Sequence, residues 1–180
     1  MPAPYYRINL KNIPQRYQTE SLLKVLPTSP LLLRQEVETI ARYFLREFRY
    51  DSIQFDQNDR GPYTAYLFAD SDQSVWAGAC CFRSRYFRDI DMESEALQWV
   101  WLHPYLRGRG ILTTCWKTLR DNHGDFYISP PVSPPMREFL LAHNKDSAWY
   151  TMFQCKEPDW ADIKSRLTHA PGPRRRESMP

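Results

Sequence analysis

Apolar side chains at Leu33, Val37, Ile40, Ala41, Phe44, Leu45 and Phe48 recur at three- and four-residue spacing, which predicts a helix over about residues 32–48 with one apolar stripe. The stretch before it is interrupted by Pro14, Pro27 and Pro30, and its one short amphipathic piece, residues 20–26, reads as a turn or two of helix within loop. From Tyr63 the pattern changes. TAYLFAD and VWAGACCFR are rich in aromatic and β-favouring residues and are separated by a polar cluster at 70–74, which predicts an antiparallel hairpin. The charged stretch 85–95 reads as a loop, and ALQWVWL reads as a strand ending at His103-Pro104. ILTTCWKTLRDN then sets Ile111, Leu112, Cys115, Trp116 and Leu119 on one helical face, with Gly124 closing the helix. DFYIS predicts a short strand, ISPPVSPP a rigid crossing, PPMREFLLAHN a second helix with Pro135 near its first turn, and WYTMFQC a further strand.

Strand, strand, strand, helix, strand, helix, strand is the order of a mixed sheet with crossover helices, hence an α/β or α+β fold. The 180 residues suffice for one core, so residues 1–170 are expected to form a single domain. PGPRRRESMP, residues 171–180, has nothing to bury and reads as a disordered basic tail. Cys80, Cys81, Cys115 and Cys155 form no CxxC pair and have no histidine partner at zinc spacing, so no metal site is expected. No apolar run nears the roughly 20 residues of a bilayer span, and MPAPYYRINLKN lacks the regions of a secretory signal, so no membrane partner and a cytoplasmic location are expected. A net charge of +3 is mild and spread out, which suits an anionic small ligand better than nucleic acid; the basic tail leaves nucleic acid only weak support.

The chemistry concentrates at Arg107-Gly108-Arg109-Gly110, between a strand and a helix. Glycines there let the backbone turn tightly while the first N–H groups of the helix point at one spot. Those unpaired donors and the positive end of the helix dipole favour an anion, and Arg107 and Arg109 add charge. A P-loop needs GxxxxGK[ST] and a dinucleotide fold needs a third glycine; neither is present.

The string Val100-Trp101-Leu102-His103-Pro104-Tyr105-Leu106-Arg107-Gly108-Arg109-Gly110-Ile111-Leu112 resembles the cofactor motif of the GCN5-related N-acetyltransferase (GNAT) superfamily, whose turn reads R/Q-x-x-G-x-G/A. Arg107 and Gly110 match, and Leu112 stands where the family usually has Gly or Ala. The predicted element order from Tyr63 to Cys155, and the helix before it, follow the same superfamily. The resemblance implies a mostly antiparallel, twisted sheet with flanking helices and a splayed central strand pair. It implies acetyl-CoA as co-substrate, its pyrophosphate held by Arg107, Gly108, Arg109, Gly110, Ile111 and Leu112. The acyl arm would pair with backbone groups near Trp101 and Leu102, one N–H polarising the thioester carbonyl. The implied activity is transfer of an acetyl group to an amine by direct attack.

A protonated amine, with a lysine pKa of about 10.4, needs a base. Glu93 and Glu95 precede the motif strand, where the superfamily frequently uses a glutamate; both also read as solvated loop carboxylates. His103 is a further base candidate that also reads as a turn residue. Tyr127, on the strand opposite, is the hydroxyl best suited to return a proton to the coenzyme thiolate, or else an aromatic packed in the sheet; Ser133 is a less acidic substitute that equally reads as a helix cap. Trp99 and Trp101 share one strand face, as cleft floor or core. The acceptor stays open among a small molecule, a protein amine and an aminoacyl-tRNA. The alternative function is a non-catalytic binding module for a protein or nucleic-acid partner, motivated by Leu112, by the absence of the tyrosine that the family often offers on the second helix, and by the arginine-rich tail.

Overall fold

The computed structural model describes residues 8–9, 11–70, 72, 74–154 and 156–169, so the tail at 171–180 and Cys155 lie outside the described residues. Five strands form one open sheet in the order β1-β2-β3-β4-β5, mostly antiparallel with one parallel pair, and helices flank it. The chain divides into two compact units, Met1–Cys81 with Val100–Leu112, and Phe82–Trp99 with Thr113–Pro180.

In the first unit β1 (Leu22–Val25) pairs antiparallel with β2 (Thr64–Asp70), from Leu22↔Phe68 to Val25↔Ala65. This corrects the helical turn expected at 20–26. Leu23 and Val25 are buried with exposed Lys24 between them, a period of two that only pairing with β2 makes useful. Helix α1 (Leu31–Phe48) follows the pattern: Leu33, Val37, Ile40, Ala41 and Phe44 are buried, and Arg49, in the left-handed region at φ 56°, caps its end with an N–H to the Leu45 carbonyl. β2 is buried along nearly its whole length, as a strand inside a covered sheet must be.

Strand β3 (Val75–Phe87) continues four residues beyond the run that predicts it, and β4 (Met92–Leu102) starts four residues before ALQWVWL. The charged loop expected at 85–95 is therefore a turn at 88–91, with Asp91 at φ 51°. Exposed polar residues such as Ser84 and Arg85 carry no apolar signal, yet their backbone can still serve the sheet. As a result Glu93 and Glu95 lie within β4 rather than ahead of it.

Helix α2 (Ile111–His123), which belongs to the second unit from Thr113 onward, buries Cys115, Trp116, Leu119 and His123. Gly124, at φ 69°, closes it by donating to the Arg120 carbonyl. β5 (Tyr127–Ile128) is shorter than DFYIS and pairs parallel with β4 at Ala96↔Tyr127 and Leu97↔Ile128, with Ser129 N–H donating to Leu97 O. Helix α3 (Pro134–His143) begins as expected after Ser133.

WYTMFQC is not a strand. Residues Tyr150–Phe153 form a short helix, α4. Asp125 accepts from the Ser147 hydroxyl (2.7 Å) and the Ala148 N–H (2.6 Å), and Ser147 Oγ accepts from Trp149 N–H, so side chains curl this segment locally. Trp149 and Phe153, four apart, are both buried, which is helical spacing. Helix α5 (Trp160–His169), with Ile163 buried, follows and was not expected from the pattern.

Candidate functional site

The glycine-rich turn sits in the first unit at the end of β4. His103 opens a one-turn helix, Pro104–Leu106, by accepting the Tyr105 N–H on Nδ1 at 3.3 Å, and buried Leu106 pins it. Gly108 and Gly110 then take φ of 73° and 79°, the region that L side chains avoid, and α2 begins at Ile111. Beside both glycines the space where a Cβ would stand is open, with no atom within 4 Å. Arg109 is exposed, and Ile111 and Leu112 are half-buried. An open, positively charged turn of glycines at a helix start fits a phosphate group. Among the described residues no group of three His, Cys, Asp or Glu side chains is placed to hold a metal ion.

Arg107 is exposed, yet its guanidinium bonds back onto the protein. Its Nη1 and Nη2 donate to Glu47 Oε1 and Oε2, both at 2.7 Å, and its Nε donates to the Leu102 carbonyl at 2.9 Å. Trp101 Nε1–H donates to Glu47 Oε2 at 2.6 Å, and the Arg107 guanidinium lies 5.8 Å from the Trp101 ring centroid. Burial raises the Glu47 pKa, but the hydrogen bonds from Arg107 and Trp101 and the Arg107 charge outweigh it, leaving the carboxyl below its ordinary value. The Trp101 ring, 3% exposed and tilted against Tyr43, belongs to the core.

His103 is also buried, and its pKa is lowered by that burial first, with the Arg107 charge acting in the same direction and a backbone hydrogen bond at Ile8 opposing. The folded protein therefore binds this proton less readily than the unfolded chain. The contribution is complete above the unfolded value of about 6.5 and is lost as pH falls through the lower folded value. The urea midpoint is expected to fall between pH 7.5 and 5, with a shallower fall in His103→Gln. Equal slopes for the two proteins would remove His103 as a cause.

The remaining candidates lie in the second unit. Glu95 is half-exposed, and its Oε2 is 3.1 Å from Nδ1 of buried His123, whose ring stacks on Phe82 at 3.9 Å between centroids. Glu93 is exposed two residues away along the same strand. Tyr127 is buried against Phe87 and Trp149, with the Arg85 guanidinium over its ring at 5.3 Å. Burial pushes the Tyr127 phenol up, and the Arg85 charge offsets part of the shift. Ser133 Oγ accepts the Met136 N–H at 3.4 Å, so this hydroxyl caps α3. Cys80, Cys81 and Cys115 are buried, and burial pushes the Cys115 thiol up to about 11, far from a reactive thiolate.

Glu47 and His123 escape a reading by motif. Their signal is positional: Glu47 lies three residues after Phe44 and His123 four after Leu119, so both polar groups fall on buried helix faces.

No family model matches the chain, and no curated protein matches it in sequence. Solved structures do match. A ribosomal-protein-alanine N-acetyltransferase from Brucella melitensis biovar Abortus 2308 superposes with a TM-score of 0.50 at 14% identity, over 69% of this chain and 91% of that one. An aminoglycoside acetyltransferase from an uncultured soil metagenomic sample gives a TM-score of 0.45 at 10% identity, over 69% and 88%. An acetyltransferase of Trypanosoma brucei gives 0.41 at 11% identity, over 67% and 89%. The first of these shows the fold: the chain has the GNAT acetyltransferase fold. Among the described residues no helix is long and apolar enough to cross a membrane.

Proposed function

We propose that this protein is an acyl-coenzyme A-dependent N-acyltransferase that moves an acetyl group from acetyl-CoA to an amine. The observation that carries the reading is the open turn with Gly108 and Gly110 at positive φ, between β4 and α2 of this fold. The coenzyme supplies the activated thioester. Gly108, Arg109, Gly110 and the first N–H groups of α2, from Ile111 and Leu112 onward, hold the pyrophosphate. The backbone of Trp101 and Leu102 pairs with the pantetheine arm and presents an N–H to the thioester oxygen.

The acceptor amine must lose a proton to attack the carbonyl carbon, and Glu95 takes it, with Glu93 as the other carboxylate of the same strand. The His123 contact supports Glu95 over Glu93, because it holds the carboxylate in one orientation. As the C–S bond breaks, Tyr127, on the strand paired with β4, donates the proton that the sulfur needs. Ser133 is the weaker donor, its oxygen already accepting the Met136 N–H. The acceptor class is a primary amine, on a small molecule, a protein or an aminoacyl-tRNA.

Acetyl-CoA at a hundred times its Kd stabilises a protein by about 2.7 kcal/mol. A domain of this size shifts by about 2–4 °C per kcal/mol, so Tm is expected to rise by roughly 5–10 °C. No thermal shift at millimolar acetyl-CoA would sink the reading. Binding without release of coenzyme thiol across a panel of amines would separate cofactor recognition from catalysis.

A further inference from the structure

The arginine that opens the turn is already committed to the protein itself. Three of its N–H groups go to Glu47 and to the Leu102 carbonyl, and the same Glu47 carboxylate also accepts the Trp101 indole N–H. The carboxylate thus ties the last turn of α1 to the end of β4 and to the first residue of the glycine turn, across 60 residues of sequence. A two-pronged arginine–carboxylate pair fixes orientation as well as distance. The segment that follows needs such an anchor, because two glycines at positive φ leave its backbone soft, and ordering a soft loop on binding costs affinity.

From this geometry we infer that Glu47 is a positioning residue of the anion-binding turn, acting through Arg107. The inference rests on the reading that the turn takes the pyrophosphate of a coenzyme A. Arg107 then contributes by holding the turn in shape, its charge largely neutralised by Glu47. The anion is met by backbone N–H groups and by Arg109; both arginines are exposed, but three of Arg107's N–H groups are engaged by Glu47 and Leu102. The opposite arrangement, with Arg107 as a direct phosphate ligand, makes Glu47 a competitor of the ligand. The two arrangements therefore predict opposite signs for loss of the Glu47 charge.

The test is calorimetric titration of coenzyme A into the wild type, Glu47→Gln, Arg107→Ala, the double variant and Arg107→Lys, each checked for folding by circular dichroism. Glu47→Gln is expected to weaken binding roughly tenfold, Arg107→Ala about as much, and the double variant no further, because both remove one coupled pair. Arg107→Lys keeps the charge but loses the planar fork, and is expected to weaken binding as well. The salt dependence of affinity should be unchanged in Arg107→Ala and flatter in Arg109→Ala, since only a charge that faces the anion is screened on its account. Tighter or unaltered binding in Glu47→Gln, additive losses, or wild-type affinity in Arg107→Lys would overturn the inference while leaving the cofactor reading intact. A wild type that does not bind coenzyme A overturns both.

Discussion

Replacing Gly78 by alanine is expected to destabilise the protein by about 2 kcal/mol and to lower Tm by roughly 4–8 °C. A Cβ built at Gly78 would stand 2.1 Å from the Trp101 carbonyl oxygen, 2.8 Å from Leu102 Cδ2 and 2.9 Å from Leu102 Cα. The first and last are backbone atoms, so a change of rotamer relieves only the second. Overpacking of this kind costs about 1–3 kcal/mol, here at the upper end because backbone must move. Alanine recovers about 0.4–1 kcal/mol by restricting the unfolded chain, which leaves the clash dominant. The stretch that has to shift is the end of β4, which presents Leu102 O to Arg107 and leads into the turn, so coenzyme affinity should fall together with stability. Urea unfolding of the two proteins measures the first effect; an unchanged midpoint would show that β4 yields at no cost.

Gly110→Trp is expected to reduce coenzyme A binding by about a hundredfold or more, a loss of roughly 2.7 kcal/mol. The substitution does two separable things. It forces a non-glycine residue to φ 79°, which costs about 1–2 kcal/mol of stability. It also fills space that is open in the folded chain, since no atom lies within 4 Å of a Cβ at this position, and a ligand phosphate approaching the helix start needs that space. Gly110→Ala separates the two, sharing the strain but leaving most of the room, so its stability loss should be comparable and its binding loss smaller. Wild-type affinity in Gly110→Trp would move the site away from this turn.

These two glycines differ in how visible they are from sequence. Gly110 stands in an arginine–glycine repeat between a strand pattern and a helix pattern, and its positive φ follows from that local turn. Gly78 lies in an unbroken apolar strand run, and nothing near it signals that β4, more than twenty residues later, passes too close for a methyl group. The elements divide in the same way. Helix α1, the hairpin β2–β3, α2 with its Gly124 cap and the start of α3 at Ser133 follow from periodicity and capping, since each has several turns or an uninterrupted apolar run. β1 has only two buried residues and becomes a strand because β2 offers it hydrogen-bond partners. The segment at 150–153 has aromatic, strand-like composition, yet Asp125 and Ser147 bend it into α4.

The candidate site follows that division as well. The sequence by itself determines a strand, a glycine turn and a helix start suited to an anion, because dihedral freedom, helix-end donors and charge are properties of consecutive residues. It also determines which carboxylates and hydroxyls stand near that turn in chain order. Only the tertiary structure decided that Arg107 turns back to Glu47 and that Glu95 meets His123. Each pair joins residues 28 or more positions apart, on elements whose spacing is set by packing and by strand register. A side chain with several donors takes whichever acceptor the fold brings within reach, and chain order alone does not contain that information.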